Sequence, residues 1–237
     1  LMATAVLGRM NASLCDAVTG QTGSGRKMLE RLERQNLFLV PLDTHRQWFR
    51  YHHLFADVLR THLTEAQTKA LSAIHRRASE WFEAYGERTE AVFHALEAED
   101  YERAADLIER SVPEMIRQRQ EAVLRSWLKP IPDAIVRKRP ALGIAYAGVL
   151  VSLGVFDGVE ERLDAAEAEI AKLPDPAPSL AQVELYRTAL AQVRGDMEAA
   201  AGHAHRVLAL APHEDHLTRS AAAGLLGIVS WTKGRLE

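Results

Sequence analysis

Glu99-Asp100-Tyr101-Glu102, Gly154-Val155-Phe156-Asp157, Gly195-Asp196-Met197-Glu198 and Gly234-Arg235-Leu236-Glu237 are four versions of one phrase. Each opens on a turn residue, carries a large apolar or aromatic residue two places on, and an acid three places on. The starts lie 55, 41 and 39 residues apart. A period near 40, with a turn between apolar runs, is the mark of stacked helical hairpins. The fourth copy stops at its acid, where the second helix of a hairpin should begin. The spacing therefore predicts a piece of a longer protein.

Working outward, apolar periodicity predicts hairpins at 141–153 with 157–172 and at 179–194 with 197–210, then a helix over 215–233. The truncated repeat predicts an uncovered apolar face on that helix, around Leu225, Leu226 and Trp231. Pro174, Pro176, Pro178 and Pro212 punctuate the connections. Toward the N-terminus, helices are expected at 68–85, where Leu71, Ile74, His75, Ala78 and Phe82 repeat at three and four, and at 90–98, 101–111 and 120–128. Before residue 64 the signals are mixed. Ser24 can cap a helix running to about Gln35, with Asn36 as its stop. Residues 37–42 and 47–51 read as a strand pair joined by a turn at 43–46, and a helix follows over 52–63. Helices followed by a hairpin outline a winged helix. The fold class is mainly α: a small winged-helix domain over 1–63, helical hairpins linking it over 64–139, and an α-solenoid of tetratricopeptide-like hairpins over 140–237.

Composition narrows the function. Hydrophobic residues make up 47% and charged residues 26% of the 237, as in an ordinary soluble protein. Cys15 is the single cysteine, so no internal disulfide can form, which fits a reducing cytoplasm. No apolar run is long enough for a membrane span, and the N-terminus lacks the pattern of a signal peptide. Residues 1–63 hold eight Lys/Arg and five Asp/Glu, a balance of +3; the rest hold 21 and 27, a balance of −6. The larger, acidic part is poorly suited to a polyanion.

Five phrases, in one order over nearly half the chain, carry a family likeness. They are Thr4-Ala5-Val6-Leu7 with Leu14-Cys15-Asp16-Ala17-Val18-Thr19-Gly20; residues 29–38, from Leu29 to Phe38; Trp48-Phe49-Arg50-Tyr51-His52-His53-Leu54-Phe55-Ala56-Asp57; His75-Arg76-Arg77-Ala78-Ser79-Glu80-Trp81-Phe82; and Ala91-Val92-Phe93-His94-Ala95-Leu96. The stretch resembles the MalT-like family, the large ATP-binding regulators of the LuxR type. Residues 140–237 match only the looser helical-repeat pattern. The resemblance implies a plan of four parts: an NTPase module, a winged helix, a superhelix of repeats that senses inducer, and a C-terminal helix-turn-helix that reads DNA. This chain would contain the second part and the start of the third. ATP or ADP would belong to the missing module, and DNA contact to the missing helix-turn-helix. The likeness also places on His52, and secondarily His53, the role of touching bound ADP phosphate. A helix N-terminus favours an anion there.

Other motifs have blander readings. Residues 20–27, Gly20-Gln21-Thr22-Gly23-Ser24-Gly25-Arg26-Lys27, nearly spell a phosphate loop. Arg26 stands where the Lys should be and Lys27 where the hydroxyl should be, so an interhelical loop is the better reading. Lys27, Arg31 and Arg34 share one helix face but are interleaved with Glu30 and Glu33, which favours a solvated or docking face over a DNA reader. His213-Glu214-Asp215-His216 lacks a third ligand in view, and His203 and His205 lie on different helix faces, so no metal site is assigned. Cys15 and the tryptophans at 81, 127 and 231 read as core. No nucleophile–base constellation marks an enzyme, and no catalytic residue is assigned. A superhelix of this kind binds along its concave side, lined by the first helix of each hairpin; Tyr146, Tyr186, Arg187 and Arg219 are the polar candidates there for a small-molecule inducer or a regulatory protein. The expectation is a non-enzymatic regulatory and sensing segment that controls self-association. The alternative is a protein-interaction scaffold with no small-molecule ligand.

Overall fold

The computed structural model describes residues 2–35, 38–61 and 65–232. The fold is mainly α, with a winged helix at the N-terminus and a two-stranded sheet. Compactness divides the chain into two units, 1–107 and 108–237.

The first unit opens with a 3-10 turn, Met2–Thr4, and continues through α1 (Ala12–Thr19), α2 (Gly25–Arg34), β1 (Leu39–Pro41), β2 (Phe49–Tyr51) and α3 (His53–Thr61). The strands pair antiparallel with Val40 opposite Arg50. Asp43 closes the turn between them, accepting the backbone N–H groups of Gln47 (3.1 Å) and Trp48 (2.6 Å). Met10 adds a third edge by exchanging both backbone hydrogen bonds with Phe49 at 2.8 Å. Alternation along β2 buries Phe49 and Tyr51 and turns Arg50 outward.

Next come α4 (Glu65–Ala84), α5 (Arg88–Glu97) and α6 (Tyr101–Arg117), and the division between units falls inside α6. Leu14, Cys15 and Val18 of α1 are fully buried, and α1 packs on α4. Arg77 of α4 donates from Nε (3.0 Å) and Nη2 (2.6 Å) to the carbonyl of Val18, so a cation caps the negative end of α1. Burial pushes the Cys15 thiol up to about 12, consistent with a packing role. On α4, Ile74, His75, Ala78 and Phe82 are buried against α5. His75 and His94 meet there through their Nδ1 atoms at 2.8 Å, one donating and one accepting.

Ser24 sits at the N-cap position of α2 without capping it. Its hydroxyl donates instead to the Gln21 carbonyl (2.9 Å). The amides at this helix start are taken by Asp16 of α1, whose carboxylate accepts from the backbone N–H of Gly23 (2.8 Å) and Gly25 (2.6 Å).

The second unit is entirely helical among its described residues: the end of α6, then α7 (Glu121–Leu128), α8 (Asp133–Lys138), α9 (Pro140–Ser152), α10 (Val159–Ile170), α11 (Ala177–Val193), α12 (Met197–Leu210) and α13 (His216–Thr232). The short α8 has no counterpart in the sequence expectations; it follows directly on Pro132. Helices α9 with α10 and α11 with α12 form hairpins, and α11 lies against both α9 and α13.

The repeated phrase closes these hairpins by one hydrogen-bond pattern. The turn residue is left-handed, at φ 54° for Glu99, 70° for Gly154 and 77° for Gly195. Its N–H donates three residues back and the next N–H five residues back: Glu99 to Leu96 and Asp100 to Ala95, Gly154 to Val151 and Val155 to Leu150, Gly195 to Gln192 and Asp196 to Ala191, all within 2.9–3.0 Å. This is a Schellman-type helix stop. Asp196 then caps α12 by accepting from the Ala199 N–H at 2.9 Å. The copy at Gly234 and the expected stop at Asn36 lie outside the described residues.

On α13, Ala222 and Val229 are buried against the preceding hairpin, and Leu225 and Leu226 are half-buried. The bare apolar positions are instead Leu217 (86% exposed), Ile228 and Trp231 (69%), with Ala221 and Gly224 between them. Trp231 is therefore not core, unlike Trp81 and Trp127, because it lies on the helix face turned away from that hairpin.

Glu99 bears a side chain in a conformation that costs other residues about 1–2 kcal/mol. Glu99→Gly should raise stability by about 0.5–1 kcal/mol in urea unfolding, after glycine's greater unfolded freedom is deducted. Asp16→Ala, which orphans two amides, should lower it by about 1–2 kcal/mol. The histidine pair gives a pH signature. Burial, and for His94 also its neighbour His75, pushes His75 from 6.5 to about 4 and His94 to about 3. The unfolded chain binds more protons, so their contribution is complete above pH 6.5 and is lost as pH falls from 6.5 through about 4 for His75 and about 3 for His94. Urea midpoints should decline over that window, by up to about 1.4 kcal/mol per pH unit per imidazole. A His75→Leu/His94→Leu double variant should flatten the slope.

Candidate functional site

His52 immediately precedes α3. Its N–H donates to the Phe38 carbonyl (2.7 Å), and its own carbonyl accepts from Phe55 (2.9 Å) and Ala56 (3.0 Å). The half-buried imidazole lies 4.3 Å from the exposed ring of His53, tilted 31° to it. The strand pair and the first turn of α3 thus hold two imidazoles side by side at a helix N-terminus, one of them open to solvent. On α2, Lys27, Arg31 and Arg34 are exposed, and the interleaved acids are engaged: Arg34 with Glu30 at 3.3 Å, and Arg46 of the wing turn with Glu33 at 2.7 Å. In the loop that nearly spells a phosphate cradle, Asp16 occupies the glycine amides.

In the second unit, the four proposed groove residues lie on α9, α11 and α13 and make contacts between helices. Tyr146 of α9 is buried, with the Arg162 guanidinium 4.3 Å over its ring. Tyr186 of α11 lies against α9 where Gly148 leaves room; a Cβ on Gly148 would collide with the tyrosine hydroxyl. Burial pushes the Tyr186 phenol above its ordinary range. Arg219 of α13 donates from Nη1 to the carbonyls of Leu208 (2.8 Å) and Ala211 (3.1 Å), closing the C-terminus of α12.

Arg187 is the hub of the unit's polar network. Its side chain is 13% exposed and meets Glu160 (3.0 Å), Asp164 (2.6 Å) and Glu167 (2.8 Å) on α10. Burial alone would weaken its charge, but these carboxylates outweigh it and hold the guanidinium protonated. Glu184, one turn earlier on α11, reaches the other way, to His203 (2.6 Å) and Arg206 (2.8 Å) on α12. Burial raises the Glu184 carboxyl, and those two donors overcome the rise and hold it below its ordinary range. The network ties α10, α11 and α12 together. Sequence reading missed the acids, although Glu160, Asp164 and Glu167 at i, i+4 and i+7 form one helix face. Asp215, a ligand candidate by sequence, accepts from the Thr218 N–H at 3.0 Å and caps α13. Among the described residues no three His, Cys, Asp or Glu side chains gather as a metal site, and no helix is long and apolar enough to cross a membrane.

Comparison with known proteins adds what geometry alone does not. The family described as the MalT winged helix domain matches residues 1–71. The HTH-type transcriptional regulator MalT of Klebsiella pneumoniae is 30% identical over 236 residues, covering all of this chain and 26% of that regulator. MalT of Yersinia enterocolitica is 29% identical over 239 residues, with the same coverage. The serine/threonine-protein kinase PknK of Mycobacterium tuberculosis is 36% identical over 174 residues, 70% of this chain and 16% of the kinase. The chain spans about a quarter or less of the length of these curated relatives. With a MalT-type winged helix domain over residues 1–71, helices after it among the described residues, and similarity to MalT from end to end, this chain is MalT-like and corresponds to a segment of those regulators.

Proposed function

We propose that the chain is the regulatory and sensing segment of an ATP-dependent, cytoplasmic transcription activator, and that it has no catalytic role of its own. The observation that carries this reading is the end-to-end similarity to MalT. In it, the winged helix docks on an NTPase module carried elsewhere in the polypeptide, and His52, assisted by His53, faces the phosphates of bound ADP. The helical unit from α9 onward is the start of a tetratricopeptide-like solenoid that takes a small-molecule inducer or a regulatory protein. Tyr146, Tyr186, Arg187 and Arg219 shape that surface from within: the tyrosine rings pack between helices, and the two guanidiniums hold neighbouring helices. DNA is read by a helix-turn-helix outside this segment. Ligand on the solenoid favours self-association only in so far as it binds the open state better than the closed one.

A second reading is a scaffold that binds protein partners and no small molecule. The kinase relative supports it, since a segment of this kind is similar to part of a protein named for a different activity.

The test is made in the whole polypeptide that carries the segment. His52→Ala should release ADP faster and raise inducer-independent transcription several-fold. Unchanged ADP retention and unchanged basal transcription would sink the assignment of His52. Inducer should raise the melting temperature of the protein in proportion to the logarithm of its concentration. If only a protein partner does so, the scaffold reading stands.

A further inference from the structure

The first unit contains a cavity of about 400 Å³ between the outer face of the strand pair and α5. That volume lies within the range of small-molecule sites, roughly 300–1,000 Å³. Its floor is aromatic. Phe82 is 1% and His94 2% exposed, and their rings lie nearly parallel, 7° apart in plane and 5.4 Å between centroids. His94 brings no charge, because its Nδ1 is bonded to His75 and burial keeps the imidazole neutral. The walls carry two large apolar side chains that face water: Leu42, just past β1, is 46% exposed, and Phe93 of α5 is 48% exposed.

Charge at the rim is unevenly spent. Arg9 is held by Glu87 and Glu90, both at 3.0 Å, and lies 4.7 Å over the Trp48 ring. Glu90 is neutralised by the same contact. Arg50 also lines the cavity, turned outward by its place on β2, and among the described residues no carboxylate pairs with it. The two carboxylates on Arg9 and the two guanidiniums balance in sum, but both carboxylates lie on Arg9, which leaves the Arg50 guanidinium beside the apolar slot without a contacting carboxylate among the described residues. A planar guanidinium matches a carboxylate with two parallel hydrogen bonds.

We propose that this cavity is a binding site for a small aromatic acid, with the ring on the Phe82–His94 floor between Leu42 and Phe93 and its carboxylate on Arg50. The lining lies within the first unit and includes neither His52 nor His53, so the proposal stands whether or not the reading above holds.

The probes are 2-naphthoate and its neutral counterpart 2-naphthamide, titrated into the protein by isothermal calorimetry. One saturable site should appear, with naphthoate bound about tenfold more tightly than the amide. Arg50→Gln should erase that difference while leaving amide binding in place. Phe93→Ser should weaken both ligands. Circular dichroism melts should show both variants folded, since both side chains are exposed. Trp231→Lys on the bare face of α13 should change nothing. Absence of saturable binding, equal affinities in the unaltered protein, an unchanged preference in Arg50→Gln, or loss of binding in Trp231→Lys would each overturn the assignment.

Discussion

Everything in the helical part depends on stopping a helix and reversing the chain within a few residues. The left-handed residue after α5, α9 and α11 does this by turning two backbone N–H groups back onto the carbonyls that the helix end leaves open. Because the geometry is the same each time, the following helix sets off in an equivalent direction. Similar hairpins then bring α11 against α9 and α13 against α11. Glycine is the low-cost residue for this place, and Glu99 shows that the hydrogen-bond pair can hold a residue with a side chain there as well.

Polar groups in the rest of the structure are largely spent on holding helices to one another. Arg77 binds the end of α1, Arg219 binds the end of α12, and Arg187 with Glu184 joins three helices. Each is a partly buried charge whose hydrogen bonds are met by another helix, so the helices are held in one arrangement. The consequence for function is that charged residues on the first helix of a hairpin are poor guides to a ligand surface. Groups that meet no carboxylate among the described residues, such as Arg50, are better ones.

The fold was largely legible in the chain. The repeated phrase places the turns after α5, α9 and α11, and the alternation around Phe49, Arg50 and Tyr51 marks β2 and its faces. Both are local patterns, and local hydrogen bonding enforces them. What sequence could not show depends on residues far apart. His75 and His94 stand 19 apart and Glu184 and His203 also 19 apart, and only the packing of one helix on the next makes them partners. Ser24 has the right identity for a cap, yet its place is taken by an acid from another helix. Trp231 has the composition of a core residue, but its helix has neighbours on one side only among the described residues.

The occupied loop between α1 and α2 bears on how glycine-rich motifs are read. Its amides are oriented as an anion cradle would need, and Asp16 is the anion. Such a loop arrives already loaded with a covalently attached counter-ion at an effective concentration no dissolved phosphate could match. An acid a few residues upstream of a phosphate-loop lookalike, on the helix that leads into it, is therefore a signature of a decoy, and one that the order of residues alone reveals.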